Sequence, residues 1–488
     1  MVGSLWGDDF VVKSEPIEAK KIVKKISQPK NTNSTVESAL KSKKTSIYER
    51  LQIISENVKK ILGRYDSQIM VIKTKEEYIN YIDTCIKNGI VSVDTETNNS
   101  LEPLTCKLMG LCLYTPGMKA AYIPVNHVNV DTGIRLDCQL TEEDIAEQLN
   151  RFNSTVIANP IKVIMHNGKF DYQVILCTTG VKLKVYWDTM IGAKILDENE
   201  KAGLKQQYID KIDPSIEKYS IEHLFKGVEY AVVDPELFAL YAATDALITH
   251  KLYMWQKEQF EIKGHERIYN LFLNIEMPIV EVAAEMELTG VEVDQAYSKR
   301  LSEKYHKQLD ELEIKINKEL MSFEPRINKW RMTKEANEHP PKARGEGFGK
   351  SKSEQLETPV NISSPTQLAI LFYDILECPV VDKKKPRGTG EDELKSIKDK
   401  LKLPICDLIL EHRGLTKLLN TYIDSIPTLV TPKTGRVHTH FNQYGAATGR
   451  FSSSEPLNLQ NIPSHNKEIR LMFKAKDGYT FVGSDYSF

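Results

Sequence analysis

The sequence has little cysteine, no excess of charge of either sign and no long apolar run, and each shortage narrows what the chain can be. Seven cysteines, Cys85, Cys106, Cys112, Cys138, Cys177, Cys378 and Cys406, are scattered over 488 residues without a Cys-x-x-Cys pair. That argues against a zinc site or a disulfide framework and fits a reducing cytoplasm. Lys and Arg number 65 against 67 Asp and Glu, a formal charge of -2, so any grip on nucleic acid must come from a local basic surface. No apolar run approaches the ~20 residues of a membrane helix, and the N-terminus lacks a signal-peptide core. Internal repeats are also missing. A chain of this length exceeds what one core usually holds, so two or three domains are expected.

Residues 1–65 are rich in Lys, Ser, Asn and Thr and read as a disordered lead. Leu51, Ile54, Val58 and Ile61 then recur at helical spacing within Ile47 to Leu62. In the tail, Ser4 to Phe10 places two aromatics in a polar context. A plain terminus is the commoner reading of such a peptide, and a docking peptide for a partner such as a sliding clamp is the other.

From Ile69 short apolar runs alternate with helical patterns: Ile69 to Ile72, Ile90 to Val93, Leu108 to Tyr114, Ala120 to Val125 and Val163 to Met165, with helices over Glu76 to Lys87 and Glu142 to Phe152. This predicts a mixed α/β domain. Within it, Gly89 to Thr97 (GIVSVDTET) ends an apolar run in two acids. On an extended strand Asp94 and Glu96 share one face while Val91, Val93 and Thr95 take the other. Like charges side by side call for solvent or a cation, and hard oxygen ligands suit Mg²⁺ or Mn²⁺.

Further acids arrive downstream. After Ile164-Met165-His166-Asn167-Gly168 a helix is expected to run to about Thr179 with Gly180 as its cap, and Asp171 falls in its first turn. Asp234-Pro235 opens another helix through about Phe260, with a stripe of Leu237, Tyr241, Asp245, Ile248 and Leu252. An acid on an apolar stripe is costly unless paired or bound to metal. Tyr241 and Asp245, four residues apart, lie one above the other.

Asp-x-Glu, Asn-x-x-Phe-Asp and Tyr-x-x-x-Asp in this order closely resemble the three motifs of the proofreading 3′–5′ exonuclease domain of family-A DNA polymerases, the bacterial DNA polymerase I type, which phages also carry. The resemblance implies a ribonuclease H-like fold in which Asp94, Glu96, Asp171 and Asp245 hold two divalent ions, Mg²⁺ or Mn²⁺, and Tyr241 orients the attacking water. Two metals about 4 Å apart supply the hydroxide and the charge stabilisation that phosphodiester hydrolysis needs. Asp188, in Trp187-Asp188-Thr189, recurs in such domains and is open between support of the site and a helix cap.

The second half resembles the same polymerases. Ile275 to Asp294 looks like the entry to the polymerase domain, and Tyr297 to Leu320 like the first thumb helix. Residues 324–358 are basic with few apolar positions and read as an insertion, a solvated loop ahead of a DNA-contacting one. Gly435 to Pro463 strongly resembles the block that grips the primer-template, implying Arg450 as the primer-strand contact and Asn458, Gln460 and Asn461 as polar contacts, with Arg470 beyond. Leu457 is one residue more than the usual Pro-Asn-Leu-Gln. A strand over Tyr479 to Gly483 is expected to deliver Asp485, which looks like the metal-binding Asp of polymerase motif A. The expected domains are 1–65, 66–262 (exonuclease), 263–434 (thumb start) and 435–488 (incomplete palm). The leading expectation is a DNA exonuclease in the cytoplasm of a bacterial or phage-infected cell, its polymerase site needing a complementary C-terminal half. A non-catalytic DNA-binding or assembly subunit and a ribonuclease D-like RNA exonuclease are the alternatives.

Overall fold

The five short apolar runs pair into one sheet with a sixth, two-residue strand. They are β1 (Ile69–Val71), β2 (Ile90–Thr97), β3 (Leu108–Tyr114), β4 (Ala120–Pro124), β5 (Lys162–Met165) and β6 (Trp187–Asp188), in the order β1-β4-β3-β2-β5-β6. Strand β2 runs antiparallel to β3 and parallel to β5, but pairs with β5 only through Ile90, Val91 and Ser92. The computed structural model describes residues 46–153, 160–215, 225–341, 348–446 and 448–485. The tail peptide Ser4 to Phe10 lies outside them. Among the described residues no helix is long and apolar enough to cross a membrane.

Helices cover both faces of the sheet: α1 (Ile47–Leu62), α2 (Lys75–Asn88), α3 (Glu142–Asn150), α4 (Gly168–Thr179), α5 (Thr189–Leu196), α6 (Leu204–Lys211) and α7 (Pro235–Phe260). Their ends carry the expected signals. Ser46 and Thr74 form capping boxes with Glu49 and Glu77, and Gly180 closes α4 in the left-handed conformation. Strand alternation divides the core in two. Val91, Val93, Leu111, Leu113, Ala121 and Ile123 pack against α2, α3 and α4. Cys112, Ala120 and Tyr122 pack on the opposite face with α1 and α7. Asp94 and Glu96, out of phase with Val91 and Val93, therefore belong to the α7 face.

Helix α7 differs from the single-stripe expectation. Phe238, Ala242, Ala243, Ala246 and Leu247 are buried along with Tyr241, Ile248 and Leu252. The helix touches β1 to β4 on one side and α1, α5 and α6 on others, so it needs apolar residues all round.

Beyond α7 come α8 (Met277–Thr289), β7 (Val291–Val293), the long α9 (Gln295–Ser322), α10 (Glu324–Arg331) and α11 (Pro404–Leu418). Strand β7 pairs with β8 (Arg436–Val437) and with β11 (Phe473–Lys474), while β9 (Phe441–Asn442) and β10 (Ser452–Ser453) form a hairpin. Two expectations are corrected. Residues 324–341 and 348–358 are not a solvated loop: α10 buries Ile327 and Trp330 with Ala336 and Leu356 against Leu368, Leu371 and Phe372. Phe323, Ile327 and Trp330 repeat at helical spacing, a signal masked by the surrounding charge. Lys352 also reaches Asp374 at 2.9 Å, which pairs with Arg387. Residues 342–347 lie outside the described ones. The second correction is at Tyr479 to Gly483, which forms no strand. No neighbouring strand offers it a ladder, and Tyr479, Phe481 and Val482 stand exposed.

Candidate active site

The two acids of β2 meet the acid of α4 and the acid of α7 where the sheet opens. Because β5 pairs with β2 only as far as Ser92, the N–H of Thr95 meets no partner on the β5 side. It donates to Asp171 Oδ1 at 2.9 Å, and the Thr95 hydroxyl donates to the same oxygen at 2.6 Å. Thr95 sits on the face opposite Asp94 and Glu96, so it fixes the third carboxylate beside the first two. Asp171 is 3 % exposed, and its carboxyl is pushed up to about 7, first by burial and against the two Thr95 bonds.

Asp94 lies opposite Cys112 in the β2–β3 register. Asp94, Glu96 and Cys112 hold their ligand atoms within 4.8 Å of one another. Burial and then the charges of Asp171, Glu96 and Asp245 raise the Asp94 carboxyl well above its usual range, with Lys205 acting in the other direction. Four carboxylates thus share one field. Burial, followed by the same acids, keeps Cys112 a neutral thiol. A protonated thiol is a poor ligand for a hard cation, so the donor set fits Mg²⁺ or Mn²⁺ held by the carboxylates, with Cys112 as a wall.

Asp245 pairs with Lys205 of α6, Oδ2 to Nζ at 3.3 Å, and the same ammonium lies 4.8 Å from the centroid of the Tyr241 ring. Tyr241 is buried beside Phe225 and Phe238. Thr95 and Lys205, with Cys112 as the wall, are contributors that sequence reasoning missed. Asp188 caps α5 through the Met190 and Ile191 N–H groups and also accepts the Asn167 and Gly168 N–H groups at 3.1 and 2.7 Å. One buried carboxylate therefore fastens the start of α4, and with it Asp171, to the start of α5. Burial raises its pKa against those four bonds.

The polar residues expected at a duplex lie apart from this cluster in the chain. Arg450 is exposed on the turn of the β9–β10 hairpin, and Asn461 and Arg470 are exposed. Asn458 Oδ1 accepts the Gln460 N–H. The Gln460 amide is engaged by its own chain, accepting the Ser453 N–H at 3.1 Å and donating to Phe451 O at 2.9 Å. Leu457 is buried and seats this loop. Asp485 is exposed in the irregular end.

Comparison with known proteins gives two family matches: a 3′–5′ exonuclease family over residues 69–257 and DNA polymerase family A over residues 335–488. DNA polymerase I of Chloroflexus aurantiacus is 33% identical over 413 residues, which is 81% of this chain and 38% of that protein. The Treponema pallidum DNA polymerase I is 28% identical over 93% of this chain and 44% of its own length. The thermostable DNA polymerase I of Thermus thermophilus is 36% identical over 50% of this chain and 25% of its own length. The chain thus spans less than half the length of each of these relatives. Among solved structures, the polymerase domain of Pol1 from M. smegmatis, in complex with DNA primer-template and dNTP, superposes with a TM-score of 0.59 at 21% identity, covering 84% of this chain and 59% of that one. The six-stranded sheet flanked by helices is the ribonuclease H-like fold of the exonuclease region. With that region followed by a polymerase region, the chain belongs to DNA polymerase family A.

Proposed function

We propose that this chain hydrolyses DNA from the 3′ end, using Asp94, Glu96, Asp171 and Asp245 to hold two divalent cations, Mg²⁺ or Mn²⁺. The observation that carries this reading is the convergence of those four carboxylates, from three separated segments: Asp171, Glu96 and Asp245 all act on Asp94, whose carboxyl burial first and then these charges raise. Divalent cations bound there supply activation of water and neutralisation of the phosphate charge. Thr95 holds one oxygen of Asp171, orienting the carboxylate from outside the cluster. The Tyr241 hydroxyl, one helical turn from Asp245, orients the attacking water by hydrogen bonding. Lys205 offsets part of the carboxylate charge and contacts the substrate phosphate.

In the polymerase region Arg450, Asn458, Asn461 and Arg470 contact a primer-template duplex, Gln460 shapes the loop that presents them, and Asp485 is a metal ligand. The exonuclease reading is tested with a 5′-labelled single strand in Mg²⁺. The expected result is a ladder shortening from the 3′ end, slowed about a thousandfold by Asp94→Ala, roughly 4 kcal/mol of lost stabilisation. An intact oligonucleotide, or equal degradation by Asp94→Ala, contradicts it.

A further inference from the structure

Two residues before Asp171, Lys169 leaves the exonuclease region. Its ammonium, 18 % exposed, pairs with the buried Glu287 of α8 at 2.5 Å and donates to the backbone oxygen of Phe441 at 2.6 Å. Glu287 Oε1 in turn accepts the Phe441 N–H at 2.6 Å. The two charged groups thus hold both backbone polar groups of one residue. Gln173, two residues after Asp171, donates to Glu287 Oε2 at 2.8 Å, and His440 Nδ1 lies 3.5 Å from that oxygen. His438 contacts the Glu287 backbone oxygen at 2.7 Å.

Phe441 is the first residue of the β9–β10 hairpin, whose turn carries Arg450. The hairpin has two more anchors: Gln443 donates to Glu276 O at 3.0 Å, and the Tyr444 hydroxyl donates to Met190 Sδ of α5 at 3.2 Å. The base of the hairpin and the first turn of α4 are therefore fixed to one buried carboxylate. Displacing Phe441 must strain the bonds that hold Lys169 and Gln173 on either side of Asp171. A half-satisfied buried charge network is costly, which opposes movement of one segment without the other.

Given the exonuclease role proposed for Asp171 and the duplex contact proposed for Arg450, we propose that the Lys169–Glu287 pair is a joint through which duplex DNA on the hairpin alters the order of the helix bearing Asp171. Glu287 is in that sense a positioning residue for the exonuclease centre. Hydrogen–deuterium exchange of residues 168–179 is measured in the full chain, in EDTA so that no hydrolysis intervenes, with and without a saturating primer-template duplex. Duplex binding is followed separately by fluorescence anisotropy. In the wild-type chain the duplex changes the exchange of this segment severalfold. Glu287→Gln binds the duplex within about twofold of wild type yet loses the response, and Lys169→Met, made at the more accessible side of the joint, does the same. No duplex binding, no response in the wild type, or a response retained in either variant overturns the proposal. Because the measurement needs no catalysis, a failed exonuclease assay and a failed joint are told apart.

Discussion

Tyr241 and Asp245 sit one turn apart on α7 and share Lys205, and their proposed roles differ in a way that substitution separates. Tyr241→Phe removes one hydroxyl and no ligand. It is expected to leave Mn²⁺ affinity within about twofold while slowing hydrolysis about 10- to 100-fold, checked by calorimetric titration beside single-strand cleavage. Equal loss of metal affinity in Tyr241→Phe and Asp245→Ala contradicts that division. The carboxylates were legible in the sequence because each breaks a local pattern: two acids ending a strand, one in a helix start, one on an apolar stripe. Thr95 was not. Alternation places it on the other face from Asp94, and its bond to Asp171 arises because β5 stops pairing at Ser92, a fact of tertiary register. Lys205 had no signal either, being an ordinary lysine on a short helix until α6 meets α7.

Among the elements, a pair of the Asp-capped helices shows how burial sets the value of a cap. Asp234 is an exposed N-cap accepting the Glu236 and Leu237 N–H groups, whereas Asp188 is 1 % exposed and accepts four N–H groups from two helices. Asp234→Ala is expected to cost about 1 kcal/mol, and Asp188→Ala roughly 3 kcal/mol because its donors are left buried and unpaired. Denaturant unfolding of both variants checks this, and equal losses contradict it. Asp188→Ala should also lower metal affinity, since it frees the first turn of α4. Helix ends were legible where local chemistry decides them, at Asp234-Pro235 and Gly180. For residues 324–341 and 348–358 the charge-rich composition outweighed the spacing of Phe323, Ile327 and Trp330, whose partners Leu368, Leu371 and Phe372 come from later in the chain. The expected strand at Tyr479 to Gly483 failed for the converse reason: its residues suit a strand, but a strand needs a neighbour.

Across the whole molecule, the exonuclease and polymerase regions meet through the Glu287 network, which also sets a pH dependence. Burial alone would raise the Glu287 carboxyl, but His440, Lys169 and the Phe441 N–H outweigh it and hold it below its usual value. His440 is raised above 6.5, chiefly by its bond to Glu287, with Glu102 assisting and burial and Lys169 opposing. A histidine raised on folding stabilises the fold fully below about pH 6.5, and this contribution is lost as pH rises through the folded value. His440→Gln should therefore lower the apparent unfolding midpoint more at pH 6 than at pH 9, and an equal drop at both contradicts the pairing. The central claim remains that the carboxylate cluster is a 3′–5′ exonuclease centre. Its most direct test compares initial rates of 3′ excision in Mg²⁺ on a single strand, a primer with a mismatched terminus and a fully matched primer. The account predicts that order of decreasing rate for the wild-type chain, and flat traces for both Asp94→Ala and Asp245→Ala. Excision that persists in both variants, or a matched terminus removed as fast as a single strand, would contradict it.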